Sequence, residues 1–351
     1  MQIDMHYYAT YAMAIAAGIP QADANIIAYA SQFTDDSTRY NSGEHKDGGL
    51  LFGITTAHNP AQSAIINASD HNFNSIEARQ IWIPFHFFPG GEGKSFQQKL
   101  LCTKNGVLIK ELLQEYSKVC AAKPYGLELL GIAAHVYMDT FSHYGFSGIS
   151  SSFNNVVDGS VDFVTPPTIY TASYIQGKFE KFVAAPLADM VSSNLGHAGA
   201  ATYPDRPYLH WKLTFEEQRP GNGKESHRDN QKTFFEACQS LYTFFSEFCR
   251  CKYANQTQTS FDNISEEIIS ILSYEGNKEG RCNKWHISSL VNGMKPYDSQ
   301  LWEDQKKIYF KQNKVSEEGI SSHAYRFHQA AAFHRYYVLK DFLPAHGIAV
   351  Y

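Results

Sequence analysis

Gly131-Ile-Ala-Ala-His135-Val-Tyr-Met-Asp139-Thr-Phe-Ser-His143-Tyr-Gly145 is the stretch whose reading decides the fold of this chain. An α-helix turns once every 3.6 residues, so residues four and eight apart stay near one face. His135, Asp139 and His143 therefore stand in a row, and Glu128 falls on the same face two turns earlier. Leu127, Leu130, Ala133, Ala134, Met138 and Phe141 cover the remaining faces, while Gly131 and the alanines leave room for close neighbours. The pattern predicts a central helix, opened by Pro124 and enclosed by other helices.

Two imidazoles and a carboxylate in line are a ligand set for a divalent metal, because helical spacing lets one ion reach residues four apart. Buried without an ion, such a row costs several kcal/mol of polar desolvation. The opposing reading is a polar stripe turned to solvent, or core histidines that are merely hydrogen-bonded. On a helix apolar everywhere else, the row favours metal.

Working outward, the chain has 351 residues, 43% of them hydrophobic and 19% charged, enough to bury a large core. Its aromatic content of 14% is read as core filling. The net charge of −5 and the absence of a basic tract disfavour nucleic acid as a partner. Cys102, Cys120, Cys238, Cys249, Cys251 and Cys282 form no CxxC pair. The N-terminus lacks the basic flank of a signal peptide, and no apolar run is long enough to span a bilayer. A cytoplasmic protein is expected.

No repeat, low-complexity tract or linker divides the chain, so residues 1–351 are read as a single all-α domain. Helices are expected over residues 5–17, from Pro20 to about Phe33, from Ser95 to Ala122 with a break at Asn105-Gly106, and over 169–195, 227–254, 265–275 and 320–342. Ile81-Trp-Ile-Pro-Phe-His86-Phe-Phe-Pro89 reads as a strand or extended segment before a Pro89-Gly90-Gly91 turn. The irregular stretch after Gly145 is either a lid over a metal cleft or a plain surface loop.

His135-x3-Asp139 on an inner helix resembles the signature of the zinc-dependent phospholipase C and single-strand-specific nuclease superfamily. The HYYATY, PFHFFPGG and YPDRPYLHW segments are similar to an uncharacterised bacterial family associated with it. The resemblance implies a multi-helix fold and a centre of one to three Zn²⁺ ions. It implies an early histidine ligand, His6, which should lie within about 10 Å of Asp139, several zinc–ligand bond lengths. It also implies an aspartate at a helix end, Asp35 or Asp36. Known phospholipases add their N-terminal amine. Here Met1-Gln-Ile precedes the motif, so the amine is not expected in the site and Asp4 is the conjectured substitute. His86 is either a ligand or a packed histidine. His197 and Asp205 complete the implied set if the chain turns at Tyr203-Pro204, although they are spaced more widely than the usual i, i+4 pair. His45, His58, His71, His323, His328 and His334 are read as surface or packing residues.

The implied chemistry is hydrolysis of a phosphoester by a metal-activated water, with Asp35 and Asp36 as candidate bases. A phospholipid is the favoured substrate, and the aromatic Ile81–Pro89 segment would suit its apolar part. Alternatives are a single-strand-specific nuclease, another metal-dependent hydrolase, or a catalytically silent metal-stabilised module. No Gly-rich phosphate loop, GxSxG elbow or HExxH motif competes.

Overall fold

The computed structural model describes residues 1–38, 41–57, 76–183, 195–221, 223–254, 256–311 and 314–350. A π-helical turn, Asp4–Ala9, runs into α1 (Thr10–Ala16), and α2 (Gln21–Asp36) follows with Pro20 at its N-cap. Next come a hairpin of β1 (Asn41–Glu44) and β2 (Leu50–Gly53), then α3 (Ile76–Phe85), α4 (Val107–Ala122) and α5 (Gly126–His143). β3 (Asp162–Thr165) and α6 (Ile169–Val183) lead to β4 (His210–Arg219) and β5 (Gly223–Asp229). Beyond them lie α7 (Asn230–Lys252), α8 (Asp262–Leu272), α9 (Lys278–His286), α10 (Gln300–Lys311) and α11 (His323–Tyr336).

The centre of this arrangement is α5, buried at every position from Glu128 to His143 and packed against α2, α4, α7 and α11. Its histidine row therefore faces protein, and the solvent-facing stripe is excluded. Gly131 sets the fit against α2. A Cβ there would stand 2.4 Å from the Ile27 carbonyl oxygen and 2.5 Å from the Ala30 Cβ, so a side chain would force the helices apart. That close approach brings the last turns of α2 alongside His135. The main hydrophobic cluster around α5 draws on residues from Met1 to Val350.

The expected all-α class is overturned. The fold is 58% helical with 11% strand, in a two-stranded antiparallel sheet, β1-β2, and a three-stranded one, β3-β4-β5. The reason is visible in β4, where Trp211, Leu213 and Phe215 are buried while Lys212 and Glu216 are exposed. This period-two alternation belongs to a half-buried strand. Those three side chains join Phe87, Phe146, Tyr203 and Leu209 in a second, smaller core. β3 comes from the segment after Gly145 and pairs with β4, so part of the expected loop is sheet.

Two further expectations change. Ile81–Phe85 is the end of α3 rather than a strand, and the helix stops just after Pro84. A proline cannot donate into the ladder and its ring crowds the preceding turn, so continuation is costly there. The described part of α6 ends at Val183; residues 184–194 of the helix expected to 195, with His58 and His71, lie outside the described residues, and Leu195 is bridged to Ser150 rather than helical. No helix among the described residues is long and apolar enough to cross a membrane.

Candidate metal centre

Side chains from distant parts of the sequence meet around the last two turns of α5. The π-helical turn delivers His6, the end of α2 delivers Asp35, and the residue after α3 is His86. His197 and Asp205 arrive on the segment before β4, where two short 3₁₀ turns fold it back on itself. Asp139 is shared by most of them. Its Oδ1 lies 3.2 Å from His6 Nε2, and its Oδ2 lies 3.3 Å from His135 Nε2, 3.4 Å from His86 Nδ1 and 3.5 Å from His143 Nδ1. Asp35 Oδ1 is 3.8 Å from His135 Nε2 and 3.9 Å from His86 Nδ1. Asp205 stands 3.6 Å from His143 Nε2 and 3.8 Å from His197 Nε2. Three triads result: His6, Asp35 and His135; His86, His135 and Asp139; His143, His197 and Asp205. In each, the candidate ligand atoms lie within 4.8 Å of one another.

The ring nitrogens show what this cluster is suited to hold. His135 Nδ1 is 2.9 Å from the Ser31 carbonyl oxygen, His86 Nε2 is 2.8 Å from that of Thr56, His143 Nδ1 is 2.8 Å from that of His86, and His197 Nδ1 is 2.8 Å from that of Ala201. A carbonyl only accepts, so each of these nitrogens carries the proton and the opposite nitrogen presents a lone pair. For His135, His86 and His197 that bare nitrogen faces carboxylate oxygens. His135 Nε2 and His86 Nδ1 also face each other at 3.3 Å. Lone pairs and carboxylate oxygens converge here, an arrangement that could hold a metal ion. The carbonyl contacts are the outer-shell bonds that fix imidazole ligands in metal sites. His6 adds a fifth ring, stacked on His135 with centroids 3.9 Å apart, both nitrogens buried and neither tied to a backbone carbonyl. The donor set of imidazole and carboxylate fits zinc.

Burial raises the carboxyl of Asp139, but His143, the Met1 ammonium, His135 and His6 outweigh it and hold the group well below the usual carboxylate range. Asp205 is held low against its burial by the Met1 ammonium, His197 and His143. Burial lowers His6 and His197 to about 4, leaving them neutral near pH 7, the form that binds metal. His135 moves the other way, since Asp139 and Asp35 outweigh its burial.

The terminal amine, not expected in the site, is there. Met1 N lies 2.6 Å from Asp139 Oδ1, 3.3 Å from Asp205 Oδ1 and 3.4 Å from His143 Nε2. The residues ahead of the motif do not keep it away, because the amides of Met5 and His6 both bond the Gln2 carbonyl and curl the segment inward. Burial disfavours its charge, but Asp139, Asp205 and Asp35 raise it to about 11. No residue letter encodes this group, so side-chain patterns miss it.

Two sequence candidates do not join the triads. Asp4, the conjectured substitute for the amine, is buried against Arg281, whose Nε donates to its Oδ2 at 2.7 Å. Asp36 lies next to Asp35 but points away around the helix, accepting from the Tyr297 hydroxyl and from Gln32 at 3.4 Å. Glu128 pairs instead with His323 at 2.8 Å. The aromatic segment near His86 is also unavailable to a lipid tail, since Ile83, Phe85, Phe87 and Phe88 are buried. Ser142, which the sequence reading passed over, donates to Asp205 Oδ1 and to the Pro204 carbonyl, both at 2.9 Å.

Residues 1–342 match a family described as "Family of unknown function (DUF6765)". The chain belongs to that family. No curated protein and no solved structure matches it. The reading of the site therefore rests on the residues just described.

Proposed function

We infer that this chain is a metal-dependent hydrolase of phosphoric esters, of the phospholipase C type, with zinc as its metal. The observation that carries the reading is the set of imidazoles whose protonated nitrogens are tied to backbone carbonyls and whose bare nitrogens meet Asp35, Asp139 and Asp205. His6, His86, His135, His143, His197 and the three carboxylates would hold up to three ions, with the Met1 amine as a further nitrogen donor once an ion displaces its proton. Ions in such a site supply Lewis acidity towards a phosphoryl oxygen and lower the pKa of water.

The chain's own groups divide the remaining work. Asp139 and Asp205 have side chains only 2% and 11% exposed, whereas Asp35 is 32% exposed. Asp35 is therefore the carboxylate that an entering water meets, and we assign it to orient that water and accept its proton. Asp36 is withdrawn from this role by Tyr297. The net charge of −5 speaks against nucleic acid. An apolar substrate portion is supported by Ile169 and Tyr170, 76% and 87% exposed at the start of α6. That helix lies close to the site, since the guanidinium of Arg206, next to Asp205, sits 5.3 Å from the Tyr174 ring centroid. The finer location, the cytoplasm, accords with six cysteines that are all free.

The test is hydrolysis of a generic phosphodiester, of phospholipid vesicles and of single-stranded nucleic acid by zinc-loaded protein and its Asp35→Asn variant. The expected result is cleavage of the diester and phospholipid, reduced roughly 10²–10⁴-fold in the variant, the usual worth of a positioned base. Cleavage of nucleic acid alone turns the assignment to a nuclease. A fully loaded protein inert on all three removes the phosphoester reading.

A further inference from the structure

His6 is held differently from the other four histidines of the cluster. Each of those ties one ring nitrogen to a backbone carbonyl, whereas His6 has no such tie and its Nε2 meets only the site itself, 3.2 Å from Asp139 Oδ1. Apart from that contact and its stacking on His135, its place depends on the backbone that carries it. The same backbone carries the Met1 amine.

That backbone is gripped from α9. Arg281 Nε donates to Asp4 Oδ2 at 2.7 Å, its Nη2 donates to Gln2 Oε1 at 2.6 Å and reaches Asp4 Oδ1 at 3.4 Å, and its Nη1 donates to the Gly276 carbonyl at 3.0 Å. Both charges are buried, Asp4 fully and Arg281 to within 2%. A planar guanidinium holds a carboxylate and an amide oxygen together in a fixed fork geometry, which a lysine's point-like ammonium does not provide. The gripped residues alternate with those that enter the site: Gln2 and Asp4 face Arg281, while Met1 and His6 face Asp139. Buried ion pairs are a weak source of net stability, and their better-attested use is to fix one arrangement among several.

We propose that Arg281 is a positioning residue of the metal centre, gripping Asp4 and Gln2 so that His6 and the Met1 amine are presented to Asp139. The proposal rests on the metal reading above. It predicts that the ion nearest His6 depends most on this grip, while the triad of His143, His197 and Asp205 feels it only through the Met1 amine, 3.3 Å from Asp205 Oδ1 and 3.4 Å from His143 Nε2.

The experiment compares wild type, Asp4→Asn, and the double variant Arg281→Met with Asp4→Leu, in which two apolar side chains replace the buried pair. The double variant guards against misfolding, because such replacement commonly preserves or raises stability. Zinc per chain and zinc affinity are measured by elemental analysis and chelator competition. Exchange of the Met5 and His6 amides, which bond the Gln2 carbonyl, is followed in the metal-free protein. Both folded variants are expected to lose one ion per chain or bind it roughly 10–100-fold more weakly, the range for disturbed outer-shell support. The two amides should also exchange faster, even where melting temperature is unchanged. Unaltered zinc binding together with unaltered exchange in a folded variant overturns the proposal. Wild type without zinc sinks the metal reading instead, and the amide exchange then decides whether Arg281 grips the segment.

Discussion

The cluster at the end of α5 and the histidines of α11 make an instructive pair. His334 and His328 are buried like His6, and burial lowers them to about 4 and about 3, as it lowers His6 to about 4. Neither burial nor basicity separates His6 from these two. What differs is what each ring meets. His334 has a partner at each nitrogen, with Nδ1 3.0 Å from the Tyr116 hydroxyl and Nε2 2.8 Å from the Pro84 carbonyl. His328 Nδ1 accepts from the Ile54 amide at 2.9 Å. In the cluster, carboxylates stand where those neutral partners would be. A packed histidine such as His334 meets neutral groups, whereas the cluster sets several rings against shared carboxylates; His323 of α11, paired singly with Glu128, stands between the two.

The largest expected effect sharpens this contrast directly. Asp139→Asn keeps the size of the side chain but removes the anion shared by His6, His86, His135 and His143. It should cost more zinc affinity than the roughly 10–100-fold of an outer-shell change, and should abolish phosphodiesterase activity. His334→Gln should leave zinc content unchanged and cost stability instead, about 1–3 kcal/mol for the partners left unsatisfied. Equal zinc loss in both variants would erase the distinction.

A smaller effect concerns pH. His328 and His334 take up protons near 6.5 when unfolded but only near 3 and 4, respectively, when folded. The unfolded chain therefore binds more protons in that interval, and acid favours it. Their contribution should be intact above about 6.5 and lost as pH falls towards 4 and then 3. The loss is about 1.4 kcal/mol for each unit separating folded from unfolded pKa. In metal-free protein, His334→Gln should flatten the fall of stability between pH 6.5 and 4. An unchanged slope would mean that His334 does not carry it.

The smallest effect is at Ser142. Ser142→Ala removes the hydroxyl that orients Asp205 at 2.9 Å. Zinc affinity should drop by roughly tenfold, at the low end for outer-shell partners, with stability lower by about 1 kcal/mol. Zinc affinity equal to wild type would make Ser142 a packing residue only.

Much of the α5 row was legible because helical periodicity is local. His135, Asp139 and His143 need only one helix to align, and Gly131 announced the close neighbour that α2 proved to be. His6, Asp35, His86, His197 and Asp205 have no local signal of that kind. They were named through resemblance, and the tertiary fold assembles them. Asp4 was misassigned because Asp-x-His proximity says nothing about which way a side chain turns, and Arg281, which claims it, is remote in sequence. Asp35 and Asp36 could not be told apart because neighbours on a helix differ only in direction. The sheet, by contrast, was readable. Trp211-Lys-Leu-Thr-Phe-Glu216 alternates as a half-buried strand does, but helical expectation on both sides obscured it.

The most direct test of the central account is anomalous diffraction from crystals of protein purified without chelator, recorded above and below the zinc edge. The account predicts peaks within bonding distance, about 2.0–2.2 Å, of the triad nitrogens and oxygens around Asp139 and Asp205, with none at His328 or His334. A clean map with no peak at Asp139, from protein grown with zinc available, would contradict it.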